Sequence, residues 1–192
     1  MSKKGYEIVG IDINPELIET ANRAATANLS LQFIVGDIGD FTLDKEFGFA
    51  MLPDRSFPVL LTQDDQISFL RSVHRHLSPG GAFAFNMFQT FWHLLKARHH
   101  DKHLNLMHVG TEPPYKTFDS VTQLSNDAEN TKYPRPVRHS TLSELNLLLR
   151  LTVFKIVELF GDIDKRPFKG LGVNAKESDD YTIVAEKTKA AQ

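Results

Sequence analysis

The chain has 192 residues, of which 41% are hydrophobic and 24% are charged, as in an ordinary globular domain rather than a disordered or collagen-like chain. Its 22 basic and 24 acidic residues give a net charge of −2, which argues against a dedicated binder of nucleic acid. Cysteine is absent, so disulfides, thiolate metal sites and thiol nucleophiles are excluded. No apolar run approaches the ~20 residues of a membrane helix, and the first residues do not resemble a signal peptide. We therefore expect one cytoplasmic domain that does not contact membranes.

The first half of the chain alternates short apolar runs with amphipathic helices. A helix is predicted from Pro15 to about Asn28, because Asn14 is a good N-cap and proline suits the first helical position. Thr62–Asp65 resembles a capping box and opens a second helix, which ends at the turn Ser78–Gly81. Four apolar runs of strand length lie between these signals, at 6–11, 31–35, 47–52 and 82–88.

The middle of the chain is less regular. Amphipathic spacing predicts a helix over 90–107, and weaker signals indicate strands at 116–124 and 135–139. We expect residues 90–140 to form a cover over a substrate site within a single domain that spans residues 1–192.

The end of the chain predicts a helix and two strands. Thr141–Glu144 is a clear capping box that opens the helix. Strands follow at 153–160 and 181–186, and the loop between them favours an antiparallel edge. The apolar character of the earlier strands favours a parallel sheet. The expected fold is therefore α/β: a Rossmann-like, mostly parallel sheet with helices on both faces and an antiparallel final strand.

Two acidic residues stand at the ends of the first two predicted strands. Asp12 follows the first strand, and Asp37 follows the second after Gly36. The carboxyl ends of parallel strands meet at the ligand side of such a sheet, where Asp12 could accept hydrogen bonds from a ribose diol. Asp37 could accept one from the exocyclic amine of adenine, with Ile13 and Ile38 on the two faces of the ring. Each acid alone is equally well explained as a solvated residue at a strand end.

Several segments together resemble the class I S-adenosylmethionine-dependent methyltransferases. Gly5–Leu17 resembles the second-strand motif of that family, and Gly36–Phe41 resembles its adenine-side motif. The stretch from Arg55 to Gly81 is similar to the fourth-strand loop through the fifth strand, and Leu145–Asp162 to the last helix and the strand after it. Each motif alone is weak, but four in the right order and spacing are fairly specific.

The resemblance implies a cofactor, S-adenosylmethionine, and a reaction, in-line displacement of its methyl group by a nucleophile on a small-molecule acceptor. It implies that Asp12 binds the ribose hydroxyls, Asp37 the adenine amine, and Ile13 and Ile38 the ring faces. Leu52 and Pro53 would lie along the methionine part of the cofactor. No catalytic base is assigned, because methyl transfer needs chiefly proximity and alignment. No metal ion is implied.

The residues expected to bind the acceptor follow the fourth and fifth strands of the family pattern: Arg55, Phe57, Asn86 and Phe88. Arg55 could orient an acidic substrate or the carboxylate of the cofactor, although a structural ion pair is at least as plausible. The sequence does not identify the acceptor.

The chain also departs from the family pattern. The family has a first strand and a glycine-rich loop before the part seen here, so we expect an N-terminally truncated member. Because that loop brings main-chain N–H groups to the cofactor, we expect weak or absent cofactor binding by the chain alone. At Thr152–Phe154, where relatives usually have glycine, we expect the turn to change shape, since β-branched residues tolerate positive φ poorly.

Other functions and sites compete with this interpretation. A non-catalytic relative or pairing module is favoured by the missing loop, and a nicotinamide dinucleotide domain also uses an acid after its second strand. Exposed sheet edges make self-association a reasonable hypothesis. His99 and His103 have the spacing of zinc ligands, but a solvated polar face is the better explanation.

Overall fold

The computed structural model describes residues 5–25, 30–88, 100–101, 106–109, 116–119, 122–126, 136–161, 164–168 and 180–189. Two compact units make up the chain: unit 1 is residues 1–43 and unit 2 is residues 44–192.

Unit 1 is a βαβ arrangement. It contains β1 (Ile8–Asp12), α1 (Pro15–Ala24) and β2 (Leu31–Val35), and the two strands are parallel. The predicted helix start is confirmed, because the Asn14 side chain accepts hydrogen bonds from the N–H groups of Glu16 and Leu17. The helix ends at Ala24, earlier than predicted. In β1, Gly10 allows close packing against β2, because a Cβ at this position would lie 2.6 Å from the Phe33 ring.

Unit 2 contains a four-stranded sheet with helices and a separate meander. Its elements in chain order are β3 (Phe47–Leu52), a 3-10 turn (Phe57–Val59), α2 (Gln63–His76), β4 (Leu77–Phe88), β5 (His100–Asp101), β6 (Leu106–Val109), β7 (Lys116–Asp119), β8 (Leu124–Asn126), β9 (Pro136–Arg138), α3 (Leu142–Leu151), β10 (Phe154–Phe160) and β11 (Asp180–Lys187).

The four-stranded sheet has the order β10-β11-β4-β3. β3 and β4 are parallel, whereas β11 is antiparallel to both β4 and β10, so the predicted antiparallel closing strand is confirmed. Gly81 lets β3 and β4 approach closely, since a Cβ there would lie 3.2 Å from the carbonyl oxygens of Phe47 and Gly48. Within the described residues, β1 pairs only with β2 and β3 pairs only with β4.

One face of this sheet carries the core. Phe83 and Phe85 of β4 alternate with less buried residues and stack with ring centroids 5.0 Å apart. Phe69 of α2 packs edge-on against Phe83, and Phe57 of the 3-10 turn stacks on Phe85. On the opposite face, Met51 of β3 remains 52% exposed. The period-two aromatic residues of β4 are therefore strand core, as their spacing indicates.

The helix predicted over 90–107 is wrong where the structure describes that region. His100–Asp101 and Leu106–Val109 are strands of a five-stranded antiparallel meander of order β5-β6-β7-β8-β9. The apolar spacing of this segment does not exclude a strand, and the main-chain hydrogen bonds between β6 and β7 decide its conformation. The strand predicted at 135–139 is confirmed by β9. The one predicted at 116–124 is confirmed only in part, because a turn at Thr122 separates β7 from β8.

The turn after α3 also differs from expectation. Val153 keeps the left-handed conformation with φ of 63°, so the predicted change of shape is wrong. The Val153 N–H donates to the Arg150 carbonyl, and the Val153 carbonyl accepts from the N–H of Thr188 at 2.9 Å. Thr152 contributes a side-chain hydrogen bond to the Leu148 carbonyl. Contacts from both sides of the turn therefore maintain a conformation that valine alone disfavours.

Candidate functional site

The two acids of unit 1 lie at the carboxyl ends of its parallel strands. Asp12 is the last residue of β1, and its main-chain oxygen accepts a 3.0 Å hydrogen bond from Gly36, next to Asp37. Parallel pairing thus brings the segments Asp12–Ile13 and Gly36–Ile38 to one edge of the sheet, as the sequence predicts.

Both carboxylates are held in the same way. Asp12 Oδ1 accepts from the N–H of Asn14 at 2.8 Å, and Asp37 Oδ1 accepts from the N–H of Gly39 at 2.7 Å. Each of these hydrogen bonds forms an Asx turn, which holds the aspartate side chain against the main chain two residues further on. The Oδ2 atom of each acid makes no hydrogen bond within the described residues. Two anchored carboxylates with an open oxygen each can therefore accept hydrogen bonds from a ligand.

The apolar residues beside these acids differ in exposure. Ile13 is 71% exposed, whereas Ile38 is half-buried. A side chain as exposed as Ile13 on a strand end leaves an apolar surface open next to Asp12.

The predicted residues of unit 2 lie at the carboxyl end of β3. Leu52 is buried at the strand end, and Pro53 is exposed. A tight turn follows, in which the N–H and hydroxyl of Ser56 both donate to the Pro53 carbonyl. Asp54 and Arg55 between them have φ of 59° and 54°. Two successive non-glycine residues in this region are strained, and such strain is concentrated at functional sites.

Arg55 is engaged on both its main chain and its side chain. Its N–H donates to Asn86 Oδ1 at 3.1 Å, and its Nε donates to Asp180 Oδ2 at 2.8 Å. Its Nη2 lies 2.8 Å from the same oxygen. Sequence reasoning left an acidic ligand and an ion pair open for Arg55, and this geometry favours the ion pair. The sequence did not indicate Asp180 as the partner of Arg55, because only the pairing of β11 with β4 brings Asp180 beside the turn.

The two aromatic residues expected to bind the acceptor occupy different environments. Phe57 is 0% exposed, with its ring stacked 5.0 Å from Phe85, so it supports the turn from within the core. Phe88, the last residue of β4, is half-buried and meets His139 edge-on at 5.2 Å. Phe88 is therefore the one of the pair with surface to offer.

A buried ion pair ties the meander to the helices. Arg138 of β9 is 5% exposed, and its Nη2 donates to Glu144 Oε1 at 2.7 Å. Its Nη1 donates to the Ser140 hydroxyl and, at 3.4 Å, to Gln66 of α2. Gln63 of α2 completes the group by donating to Glu144. The sequence carries no signal for this network, since its members become neighbours only after β9, α2 and α3 pack.

Tyr181 and the pair His99 and His103 do not contribute to the sites described above. Burial raises the pKa of Tyr181, so its hydroxyl stays protonated and does not serve as a base. His99 and His103 lie outside the described residues. Within the described ranges, no three histidine or acidic side chains are grouped as a metal site, and no helix is long and apolar enough to cross a membrane.

Comparisons with known proteins bear on this arrangement. Residues 1–81 match the family model of a methyltransferase domain. A putative methyltransferase of Bacillus subtilis, YqeM, is 28% identical over 92 residues, which cover 47% of this chain and 37% of that protein. The chain thus spans little more than a third of that relative.

Solved structures share the fold. The CcbJ methyltransferase of Streptomyces caelestis superposes with a TM-score of 0.74 at 17% identity, over 98% of this chain and 77% of that one. An S-adenosylmethionine-dependent methyltransferase of Clostridium acetobutylicum gives 0.68 at 15% identity, over 96% and 76%.

The fold is therefore the Rossmann-like α/β fold of the class I methyltransferases. The family model matches the part of the chain that carries three of the four motifs, residues 1–81, and so agrees with the resemblance found there.

Proposed function

We propose that this chain binds S-adenosylmethionine and transfers its methyl group to a small-molecule acceptor by in-line displacement. The observation that carries the proposal is the pair of anchored carboxylates at one edge of unit 1, Asp12 and Asp37, each with an open Oδ2. In the proposal Asp12 accepts from the ribose hydroxyls and Asp37 from the adenine amine. Charged acceptors make the stronger class of hydrogen bond, which suits recognition of a neutral nucleoside.

The remaining assignments come from the family resemblance and the exposure of the residues. Ile13 and Ile38 cover the faces of the adenine ring, and Leu52 and Pro53 line the methionine part of the cofactor. For the acceptor, Phe88 offers surface at the end of β4 and Asn86 offers its side-chain amide, with Arg55 and Phe57 holding the turn beside them. We also propose a cytoplasmic location, where a chain without cysteine needs no oxidative folding.

Cofactor binding is the direct test. Isothermal calorimetry and thermal shift at millimolar S-adenosylmethionine should show weak binding that stabilises the protein. Asp12→Asn and Asp37→Asn should each weaken it roughly tenfold, because each loses a charge-assisted hydrogen bond. Glu19→Gln, a change of equal size on the exposed face of α1, is the matched control.

Three results separate this proposal from its rivals. Stabilisation by nicotinamide dinucleotide alone would favour the dinucleotide domain. No response to S-adenosylmethionine at millimolar concentration would remove the proposed function. Binding at low micromolar dissociation constant would instead refute the expectation of weak binding and leave the function standing.

A non-catalytic relative is the second candidate, and one observation favours it. Within the described residues, β1 and β3 belong to different sheets and each has a single strand partner. Cofactor binding without formation of S-adenosylhomocysteine, tested against a broad panel of acceptors, would support this candidate. Light scattering at high protein concentration tests the associated hypothesis of self-association, which a strictly monomeric mass would contradict.

A further inference from the structure

One group of polar residues in unit 2 surrounds the turn that follows β3. We call it the turn cluster, and its members are Asp54, Arg55, Asn86, Asp180 and Thr182. The peptide bond between Asp54 and Arg55 lies against Asn86, since the Arg55 N–H donates to Asn86 Oδ1 at 3.1 Å. Thr182 is directly opposite Asn86 in the pairing of β4 with β11, and Asp180 is two residues from Thr182 on the same face. The sheet therefore gathers these residues around one strained turn.

The charges of the turn cluster do not cancel. Arg55 is occupied by Asp180, which its Nε and Nη2 both contact at 2.8 Å. Asp54 is exposed and makes no hydrogen bond or ion pair within the described part of the chain. One aspartate thus neutralises the cation and the other stays uncompensated. The open charge that the turn offers to a ligand is negative.

Asn86 adds an open hydrogen-bond donor. Its side chain is 9% exposed, and its Oδ1 is used by the Arg55 N–H. Its Nδ2 makes no hydrogen bond to any described residue, and the buried Thr182 hydroxyl opposite it also lacks a partner. Asn86 Nδ2 is not among the buried polar atoms that lack a partner, so this amide reaches the surface and is accessible to a ligand. A ligand oxygen would complete this side chain.

We propose that the acceptor at this site is an amine with a neighbouring carbonyl oxygen; the inference rests on the proposed methyl transfer. The ammonium form of the acceptor pairs with the Asp54 carboxylate, and its carbonyl oxygen accepts from Asn86 Nδ2. After the ammonium loses its proton to solvent, the nitrogen lone pair forms a bond to the methyl carbon of the sulfonium. The carbon–sulfur bond breaks, and its electron pair stays on sulfur as the thioether of S-adenosylhomocysteine.

The sequence left open an acidic acceptor bound by Arg55, whereas the proposed acceptor is basic and is bound by Asp54. An acidic acceptor would find the charge of Arg55 already neutralised by Asp180 and would meet Asp54 as a like charge. Like charges close together are unfavourable, whereas an ammonium gains from the same arrangement. Asp54 is therefore the specificity-determining residue, and Asn86 orients the group that carries the amine.

Three compounds with one skeleton test the charge preference: L-phenylalaninamide, its hydroxyl analogue 3-phenyllactamide, and its carboxylate analogue 2-benzylmalonamate. Binding to the full chain is measured by ligand-observed NMR in the presence of S-adenosylhomocysteine. We expect the amine to bind about fivefold more tightly than either analogue, the size of one exposed charge pair. Asp54→Asn should abolish that preference. Asp64→Asn, an equal change at an exposed site of α2, should retain it.

Asn86→Ala should weaken the binding of all three compounds to a similar degree, because each compound carries the same carbonyl group. Asn86→Asp gives a second variant of nearly the same shape, in which the open donor becomes an acceptor. It should weaken the binding of the uncharged hydroxyl analogue, for which the added negative charge offers no compensating attraction. Circular dichroism and thermal unfolding of each variant separate loss of binding from loss of fold.

Equal or tighter binding of the carboxylate analogue would overturn the inference, as would an amine preference that survives Asp54→Asn, or no binding of the amine at all. Cofactor binding, measured by calorimetry on the same samples, reports separately on the proposed function. An intact cofactor response with no amine preference means that only the acceptor class is wrong. An amine preference with no cofactor response means that methyl transfer is wrong.

Discussion

Unit 1 holds two acids with open carboxylate oxygens, but among its described residues only Ile18 is buried. Unit 2 holds a core of stacked phenylalanines and two helices, with its polar groups mostly paired with one another. A two-stranded sheet with one helix is marginal by itself, whereas four strands with helices packed on one face are not. The recognisable ligand motifs and the main stabilising core therefore lie in different parts of the chain.

The largest expected effect is the loss of a core ring in unit 2. Phe85→Ala should lower the free energy of unfolding by about 3–5 kcal/mol, because its buried ring stacks on both Phe57 and Phe83. Urea denaturation followed by circular dichroism measures the change. Phe49→Ala on the same sheet is the control, since Phe49 is 47% exposed and should cost far less. Similar losses in the two variants would contradict the contrast between core and edge.

The next effect concerns the ion pair that ties β9 to α3. Arg138→Met should cost about 3 kcal/mol, because it leaves the Glu144 carboxylate largely buried without its cation. Adding Glu144→Leu should recover much of the loss, and the double-mutant cycle measures the coupling. Arg166→Met breaks the exposed pair with Asp164 and should change stability little. A single Arg138 variant as stable as the parent would show that the network is not stabilising.

A smaller effect of opposite sign is expected at Val153. Val153→Gly should raise the free energy of unfolding by about 1 kcal/mol, because glycine adopts the left-handed conformation without strain. Thr152→Gly next to it is the matched control and should destabilise, since it removes the hydrogen bond from the Thr152 hydroxyl to the Leu148 carbonyl. Thermal unfolding compares the two. If Val153→Gly is destabilised, the packing of the valine side chain stabilises the fold by more than the strain of its main chain costs.

The smallest effect is a pH dependence centred on His74. Burial, followed by the positive charge of Lys187, lowers the pKa of His74 from its ordinary value of 6.5, although the Thr188 main chain opposes this. The unfolded chain therefore binds a proton at a higher pH than the folded chain. Stability is fully present above pH 6.5 and falls as the pH drops from there through the folded-state pKa.

His74→Phe should remove this part of the acid sensitivity and keep the edge-on contact with Phe154. Melting temperatures at pH 7.5 and at about pH 5.5 measure it. An unchanged difference between the two conditions in the variant would assign the acid sensitivity to other groups.

Local features of the chain were predictable where short-range chemistry decides them. The N-caps at Asn14, Thr62 and Thr141 are built from residues three or fewer apart, and the structure forms all three. The predicted capping box is complete at Thr62 but not at Thr141, because the Glu144 side chain accepts from Arg138 and Gln63 instead. The parallel arrangement that brings Asp12 beside Gly36 also followed from apolar strands separated by a helix. The roles assigned to Asp12 and Asp37 stay predictions that the binding experiments test.

Features that depend on distant partners were missed or mistaken. The segment around Leu106 is a strand because β7 supplies its hydrogen bonds, which its own spacing does not reveal. Val153 keeps a disfavoured conformation because Arg150 of α3 and Thr188, the residue after β11, are hydrogen-bonded to it from both sides.

The sequence by itself determined the alternation of strands and helices, the acids at the strand ends and the resemblance to methyltransferases, because these depend on neighbouring residues and their spacing. Only the tertiary structure decided which charges are satisfied. Arg55 and Asp180 are 125 positions apart, and Arg138 and Gln66 are 72 apart, so no local pattern links them. Electrostatic balance is a property of distances in space, and it is this balance that leaves Asp54 as the open charge beside Asn86.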